Sequence, residues 1–138
     1  MNRFNSAQQR LLTIIFPTLF SLLSFISCTK PPGNGRLDGQ WQVMDITNNV
    51  DGTLVKPKQM YYAFEQKLVN LRQVGYYQHT GNMRYANDSI HINAPYIHAT
   101  TANRFGMDST SCVFRVDELT KETLRMHGKK YTLRCRRF

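Results

Sequence analysis

Cys28, Cys112 and Cys135, with His79, His91, His98 and His127, are the side chains of this sequence best equipped to ligate a metal or attack a substrate. A zinc or haem site needs several of them to converge, yet no His-x-His or His-x3-His pair occurs and no carboxylate cluster accompanies the histidines. Nucleophilic catalysis is no better served: a nucleophile elbow, a phosphate-cradling glycine loop and a Cys–His constellation are all absent. Ser109, Ser111 and His98 share one irregular stretch, where such residues usually serve turns. No metal, cofactor or enzymatic activity is expected.

The chemistry of Cys28 is of another kind. Met1 to Arg10 is polar and positive, Leu11 to Ile26 is apolar, and Ser27-Cys28 ends the run. The apolar part is shorter than the ~20 residues of a spanning helix and is interrupted by Pro17, so it reads as an export signal rather than an uncleaved anchor. Phe25-Ile26-Ser27-Cys28 resembles the lipobox of bacterial lipoproteins, with Phe25 in place of the commoner leucine and Ser27 in place of glycine or alanine. That resemblance implies cleavage after residue 27, acylation of Cys28 and attachment to a membrane. It places the protein in the bacterial cell envelope, and the lack of an acidic cluster after Cys28 favours the outer membrane, facing the periplasm. Pro31, Pro32, Gly33 and Gly35 make residues 28–36 a short tether carrying the acylated cysteine. Residues 37–138 are left for one folded domain, large enough to bury a core.

From Leu37 onward, short apolar alternations are separated by turn residues, the pattern of an all-β meander. Strands are expected at Gly39 to Ile46, Gln59 to Glu65, Leu68 to Gln73, Gly81 to Ala86, Ser89 to Asn93, Cys112 to Glu118, Thr123 to His127 and Tyr131 to Arg137. Pro95 to Ser111 is irregular and too long for an idle loop in most compact domains. It is either a lid over an open end or an adaptable connector. In the last three strands, a register facing Phe114 to Met126 and Leu124 to Leu133 sets Cys112 opposite Gly128 and Cys135 opposite Glu122. The thiols then lie roughly 20 Å apart along the sheet, and an envelope protein that is free to form disulfides is expected to keep these two unpaired.

Leu37-Asp38-Gly39-Gln40-Trp41 resembles the Gly-x-Trp opening of lipocalins and their calycin relatives, and the remainder is similar to the short lipocalin-like domains of bacterial lipoproteins. The resemblance implies a small antiparallel up-and-down β-barrel. It gives Gly39 and Trp41 a structural role, with Arg134 or Arg136 stacked over the indole to close the barrel floor. It also implies a small apolar or amphipathic ligand, for which the inward residues Trp41, Tyr62, Phe64, Leu71, Met83, Tyr85, Phe114 and Met126 are the pocket candidates. Plain core is the competing reading of the same residues.

The chain carries 18 Lys and Arg against 9 Asp and Glu. Two of the basic residues, Arg3 and Arg10, belong to the signal, and the excess in the remainder concentrates after Lys121. Arg115, Arg125, Lys129, Lys130, Arg134 and Arg136 form a candidate interaction patch, with Arg115 expected opposite Arg125, where like charges repel mildly. An anionic lipid or an acidic protein would relieve that repulsion, and nucleic acid is out of reach in an envelope compartment. The alternative to a ligand carrier is thus a tethered module that docks an acidic partner through its C-terminal hairpin.

Overall fold

The computed structural model describes residues 33–138; the expected signal, Cys28 and the start of the tether lie outside them. Nine strands form one antiparallel sheet: β1 (Gly39–Asn48), β2 (Leu54–Val55), β3 (Met60–Glu65), β4 (Leu68–Gln73), β5 (Tyr77–Ala86), β6 (Ser89–Asn93), β7 (Ser111–Leu119), β8 (Thr123–His127) and β9 (Tyr131–Arg137). The sheet closes where β9 pairs with β1, from Trp41 opposite Arg137 to Asn48 opposite Tyr131. Eight strands therefore make an up-and-down barrel, and β2 is a flap on the far end of β1, with Val55 opposite Ile46.

Strand alternation builds the interior. Tyr62 and Phe64 on β3, Val69 and Leu71 on β4, Ile90 and Ile92 on β6, Phe114 on β7, Leu124 and Met126 on β8 and Leu133 on β9 are all at most 1% exposed. Each such side chain stabilises the fold by about 1.5–3 kcal/mol through its removal from water. β5 begins four residues before the expected Gly81 because its inward positions there are Tyr77, His79 and Gly81, which do not read as an apolar run. Gly81 is a close approach: a Cβ there would come within 2.9 Å of the Asn93 carbonyl oxygen.

The floor of the barrel is held by Arg137, not by Arg134 or Arg136. Leu133 and Cys135 point inward, so period-two alternation also turns Arg137 inward and sends Arg134 and Arg136 out. The Arg137 guanidinium lies 4.2 Å from the centre of the Trp41 ring, a cation–π contact. It donates to the Lys121 carbonyl at 2.8 Å, to that of Asp38 at 3.0 Å, and to that of Arg36. Trp41 Nε1 donates to the Leu37 carbonyl at 2.8 Å. Gly39 has φ +128°, and a Cβ there would strike the guanidinium. The glycine of the Gly-x-Trp pair is thus required by backbone conformation and by the arginine that covers the tryptophan.

The opposite end is the mouth, and the segment after β6 fills it. Helix α1 (Ala99–Arg104) is too short to be stable alone. It is held by Ile97, Thr101, Ala102, Phe105 and Met107, all buried. Tyr62 donates from its hydroxyl to the Phe105 carbonyl at 2.6 Å, tying the cap to the core. Of the two readings of Pro95 to Ser111, the lid fits, as a packed cap rather than a loose flap.

The closing hairpins have a different register from the expected one. Val116, not Phe114, faces Met126, and Cys135, not Leu133, faces Leu124, with a bulge between Val116 and Glu118. A bulge adds a residue to one strand only, which alternation alone does not locate. Consequently Arg115 lies opposite His127, and Arg125 lies between Glu118 and Arg134. Both registers move by about two residues in the same sense, so the roughly 20 Å offset between the thiols remains. Cys112 and Cys135 are both free and buried.

Burial, ahead of any neighbouring charge, pushes both thiols up to about 12. An unfolded thiol ionises near pH 8.5–9, so above that pH the unfolded chain has lost protons that the folded chain retains. Stability is expected to fall by about 1.4 kcal/mol per thiol per pH unit from about pH 9 towards pH 12. Urea unfolding under reductant should therefore lose about 3 kcal/mol between pH 8 and pH 10, and the Cys112→Ala/Cys135→Ala variant should lose far less. Equal losses in both proteins would mean that the thiols are not held protonated by the core.

Candidate functional site at the barrel mouth

The barrel interior is filled. Trp41, Tyr62, Phe64, Leu71, Phe114 and Met126 are at most 1% exposed and Met83 is 4% exposed, so these seven pocket candidates are core. The eighth, Tyr85, is half-buried at the floor end, where its hydroxyl bonds Asp88 at 3.3 Å. The physical cause is twofold: eight strands enclose little more than their own side chains, and Phe105 and Met107 from the cap take what space is left at the top.

A cleft of about 510 Å³ lies instead at the mouth, between the β1–β2 flap, the starts of β3 and β9, the end of β4 and helix α1. Ile46, Val55, Pro57 and Met60 give it an apolar wall. Asn48, Asp51, Thr53, Gln73, Thr100, Asn103, Arg104 and Tyr131 supply the polar side. That mixture, and that size, fit one small amphipathic molecule.

Two atoms give the cleft a specific chemistry. Gln73 Oε1 and Asn103 Oδ1 are both out of contact with solvent and have no hydrogen-bond partner among the described residues. Buried polar atoms are nearly always paired, and leaving one unpaired costs about 1–3 kcal/mol. Both belong to residues that border the cleft. Arg104, at the C-terminal end of α1, lies over the Tyr77 ring at 5.8 Å, and Tyr77 stacks on His79 at 6.2 Å between ring centres. Asp51 sits at the rim, where bonds from the Thr53 backbone and side chain hold its carboxyl below its ordinary value.

None of the cleft's lining residues was a sequence candidate. Ile97, Thr101 and Phe105 recur every fourth residue, a helical stripe that could have revealed α1 and with it Asn103 and Arg104. Gln73, at the end of a strand, carries no such signal.

The proposed basic patch is partly neutralised from within. Arg134 donates bidentately to Asp45, a carboxylate only 8% exposed, and Arg115 Nε donates to Asp117 at 2.7 Å. Arg136 donates to the Gln42 side chain at 2.9 Å. Lys129 and Lys130 stand apart from these arginines in the β8–β9 turn, at the mouth end, with Lys130 Nζ 5.3 Å from the Tyr131 ring centre. Among the described residues no group of three or more His, Cys, Asp or Glu side chains is placed to hold a metal ion.

An eight-stranded antiparallel barrel closed first strand to last, with a Gly-x-Trp floor sealed by an arginine and a capped mouth, defines a lipocalin-like β-barrel. A family model described as "Lipocalin-like domain" matches residues 21–138, and the chain belongs to that family. Among solved structures it is similar to a lipocalin-like protein from Bacteroides uniformis. Identity is 22% and the TM-score 0.65, over 75% of this chain and all of that one. It is also similar to an uncharacterized protein from Bacteroides eggerthii, at 21% identity and TM-score 0.61, over 74% of this chain and 99% of that one. No curated protein matches the chain.

Proposed function

We propose that this protein is a lipid-anchored binding protein of the bacterial envelope that holds one small amphipathic molecule at the barrel mouth and catalyses no reaction. Phe25-Ile26-Ser27-Cys28 supports the anchor: cleavage after Ser27 and acylation of Cys28 would hold the domain on the outer membrane, facing the periplasm. Several acyl chains make such attachment stable, at about 0.8 kcal/mol per buried methylene. Membership of the lipocalin-like family supports a binding role.

The observation that carries the ligand reading is the pair of orphaned acceptors, Gln73 Oε1 and Asn103 Oδ1, bordering one amphipathic cleft. A ligand presenting two hydroxyl or amide donors, with an apolar part against Met60, Val55 and Pro57, would satisfy both once the two side-chain amides rotate their oxygens toward the cleft. The dihydroxylated amphiphile 1-dodecanoylglycerol is a suitable probe, titrated calorimetrically into the full chain below its aggregation concentration. Binding is expected, with Asn103→Leu and Gln73→Leu each weakening it about tenfold or more, the worth of one good hydrogen bond. Phe114→Leu, inside the barrel, should leave the affinity unchanged. Absence of binding, or loss only with the interior substitution, would refute the cleft as the site. An acidic protein partner finds less support, because Arg115, Arg134 and Arg136 already have partners within the barrel wall.

A further inference from the structure

The mouth carries a second feature, independent of what fills the cleft. Val50, Leu54, Val55, Val74, Tyr76 and Tyr96 are exposed, with Val50 at 82%, Tyr76 at 73% and Tyr96 at 90%. All six lie at the mouth end: Val50 in the β1–β2 turn, Leu54 and Val55 on the flap, Val74 and Tyr76 between β4 and β5, and Tyr96 before α1. Three separate parts of the rim thus present apolar side chains at one end of the barrel. Exposed apolar groups gathered in this way mark an interaction surface, and tyrosine is the side chain suited to a boundary between water and lipid.

Charge runs the same way. Lys56 and Lys58 follow the flap and Lys129 and Lys130 form the β8–β9 turn, and none of the four makes an ion pair among the described residues. Between β1 and β3, in the cap and in these turns, only Asp51 and Asp108 are acidic. At the other end, Asn34 donates to the Gln66 carbonyl at 2.7 Å, so the described chain enters the barrel at the floor.

We infer that the mouth rim docks on an anionic lipid bilayer with the barrel oblique to it, so that residues 28–34, at most about 3.6 Å each, still reach the same membrane; Tyr76, Tyr96 and the flap enter the interface while Lys56, Lys58, Lys129 and Lys130 meet the headgroups. Lysines near an anionic leaflet are attracted within a Debye length. A fluid, nearly planar surface accommodates apolar tips that stand on separate loops. A second copy of the chain fits worse, since it would set lysine-bearing loops against each other.

The test captures residues 29–138 on streptavidin beads through a biotin added after Phe138, which extends from the floor end, and offers fluorescent vesicles. These residues keep the whole barrel and lack the apolar signal and Cys28. Vesicles of phosphatidylcholine with about one third phosphatidylglycerol should be retained at least tenfold better than pure phosphatidylcholine vesicles at low salt, and released in about 0.5 M salt. Lys56→Glu/Lys58→Glu and Tyr76→Ser/Tyr96→Ser should each lower retention at least fivefold, with an unchanged circular dichroism spectrum and melting temperature. Equal retention of neutral and anionic vesicles would overturn the proposal. So would retention unaffected by either variant, or retention of labelled free chain in place of vesicles, which would assign the rim to self-association.

Discussion

Replacing Trp41 with alanine is expected to destabilise the protein by about 3–5 kcal/mol, the cost typical of emptying a fully buried aromatic site. The indole is 0% exposed and is the layer between the barrel core and Arg137. Removing it leaves a cavity, strips the Leu37 carbonyl of its donor and deprives the guanidinium of the ring it covers. Arg137 in turn joins the entry segment, through Arg36 and Asp38, to the β7–β8 turn, through Lys121, so the loss spreads across both ends of the chain. Trp41→Phe should cost less, since it retains most of the apolar volume and forfeits only the N–H and part of the cation–π contact. Urea unfolding followed by far-ultraviolet circular dichroism reads both, because the chain has a single tryptophan and its fluorescence disappears with the substitution. A cost below 1 kcal/mol for Trp41→Ala would mean that the floor is not a structural keystone.

The second large effect is expected at the cap. Phe105→Ala should also cost about 3–5 kcal/mol, because Phe105 is 0% exposed and packs edge-on against Tyr62 at 6.2 Å between ring centres. A hinged lid would behave otherwise: its inner face would meet water whenever it opened, and truncating one side chain would cost little. Tyr62→Phe isolates the tie between cap and core. It removes the donor to the Phe105 carbonyl, which lies in a dry region where burial has pushed the tyrosine well above its ordinary value, and should cost about 1–3 kcal/mol. If Phe105→Ala unfolds at nearly the wild-type urea midpoint, the segment from Pro95 to Ser111 is a gate and not part of the core.

These two residues also show where sequence was informative. Trp41 was legible, because Gly-x-Trp combines a backbone requirement with a large side chain at a strand start. The arginine above it is not the expected Arg134 or Arg136: the alternation that buries Leu133 and Cys135 turns both of these outward and, carried two residues further, turns Arg137 inward. Phe105 was hidden in a stretch rich in threonine and asparagine, where a six-residue helix produces barely two turns of periodicity. The eight barrel strands were legible wherever both inward positions were apolar, as in Tyr62 and Phe64 or Ile90 and Ile92. They were not legible at β2, two residues long, nor at the first half of β5, where His79 and Gly81 stand inward. Register failed at the bulge after Val116, because a single extra residue changes the pairing without changing local composition. The site was least legible of all. A cleft between a flap, a cap and the ends of several strands is a property of assembly, and Gln73 and Asn103 differ from any exposed amide only in what surrounds them.

The proposed ligand lies at the mouth, outside the filled barrel. Methyl resonances of the methionines measure this directly, since Met60 borders the cleft while Met83 and Met126 lie in the core. On titrating 1-dodecanoylglycerol into the methyl-labelled full chain, the Met60 signal should shift while those of Met83 and Met126 stay in place. Shifts at Met83 and Met126 with Met60 unmoved would place the ligand inside the barrel and contradict the account.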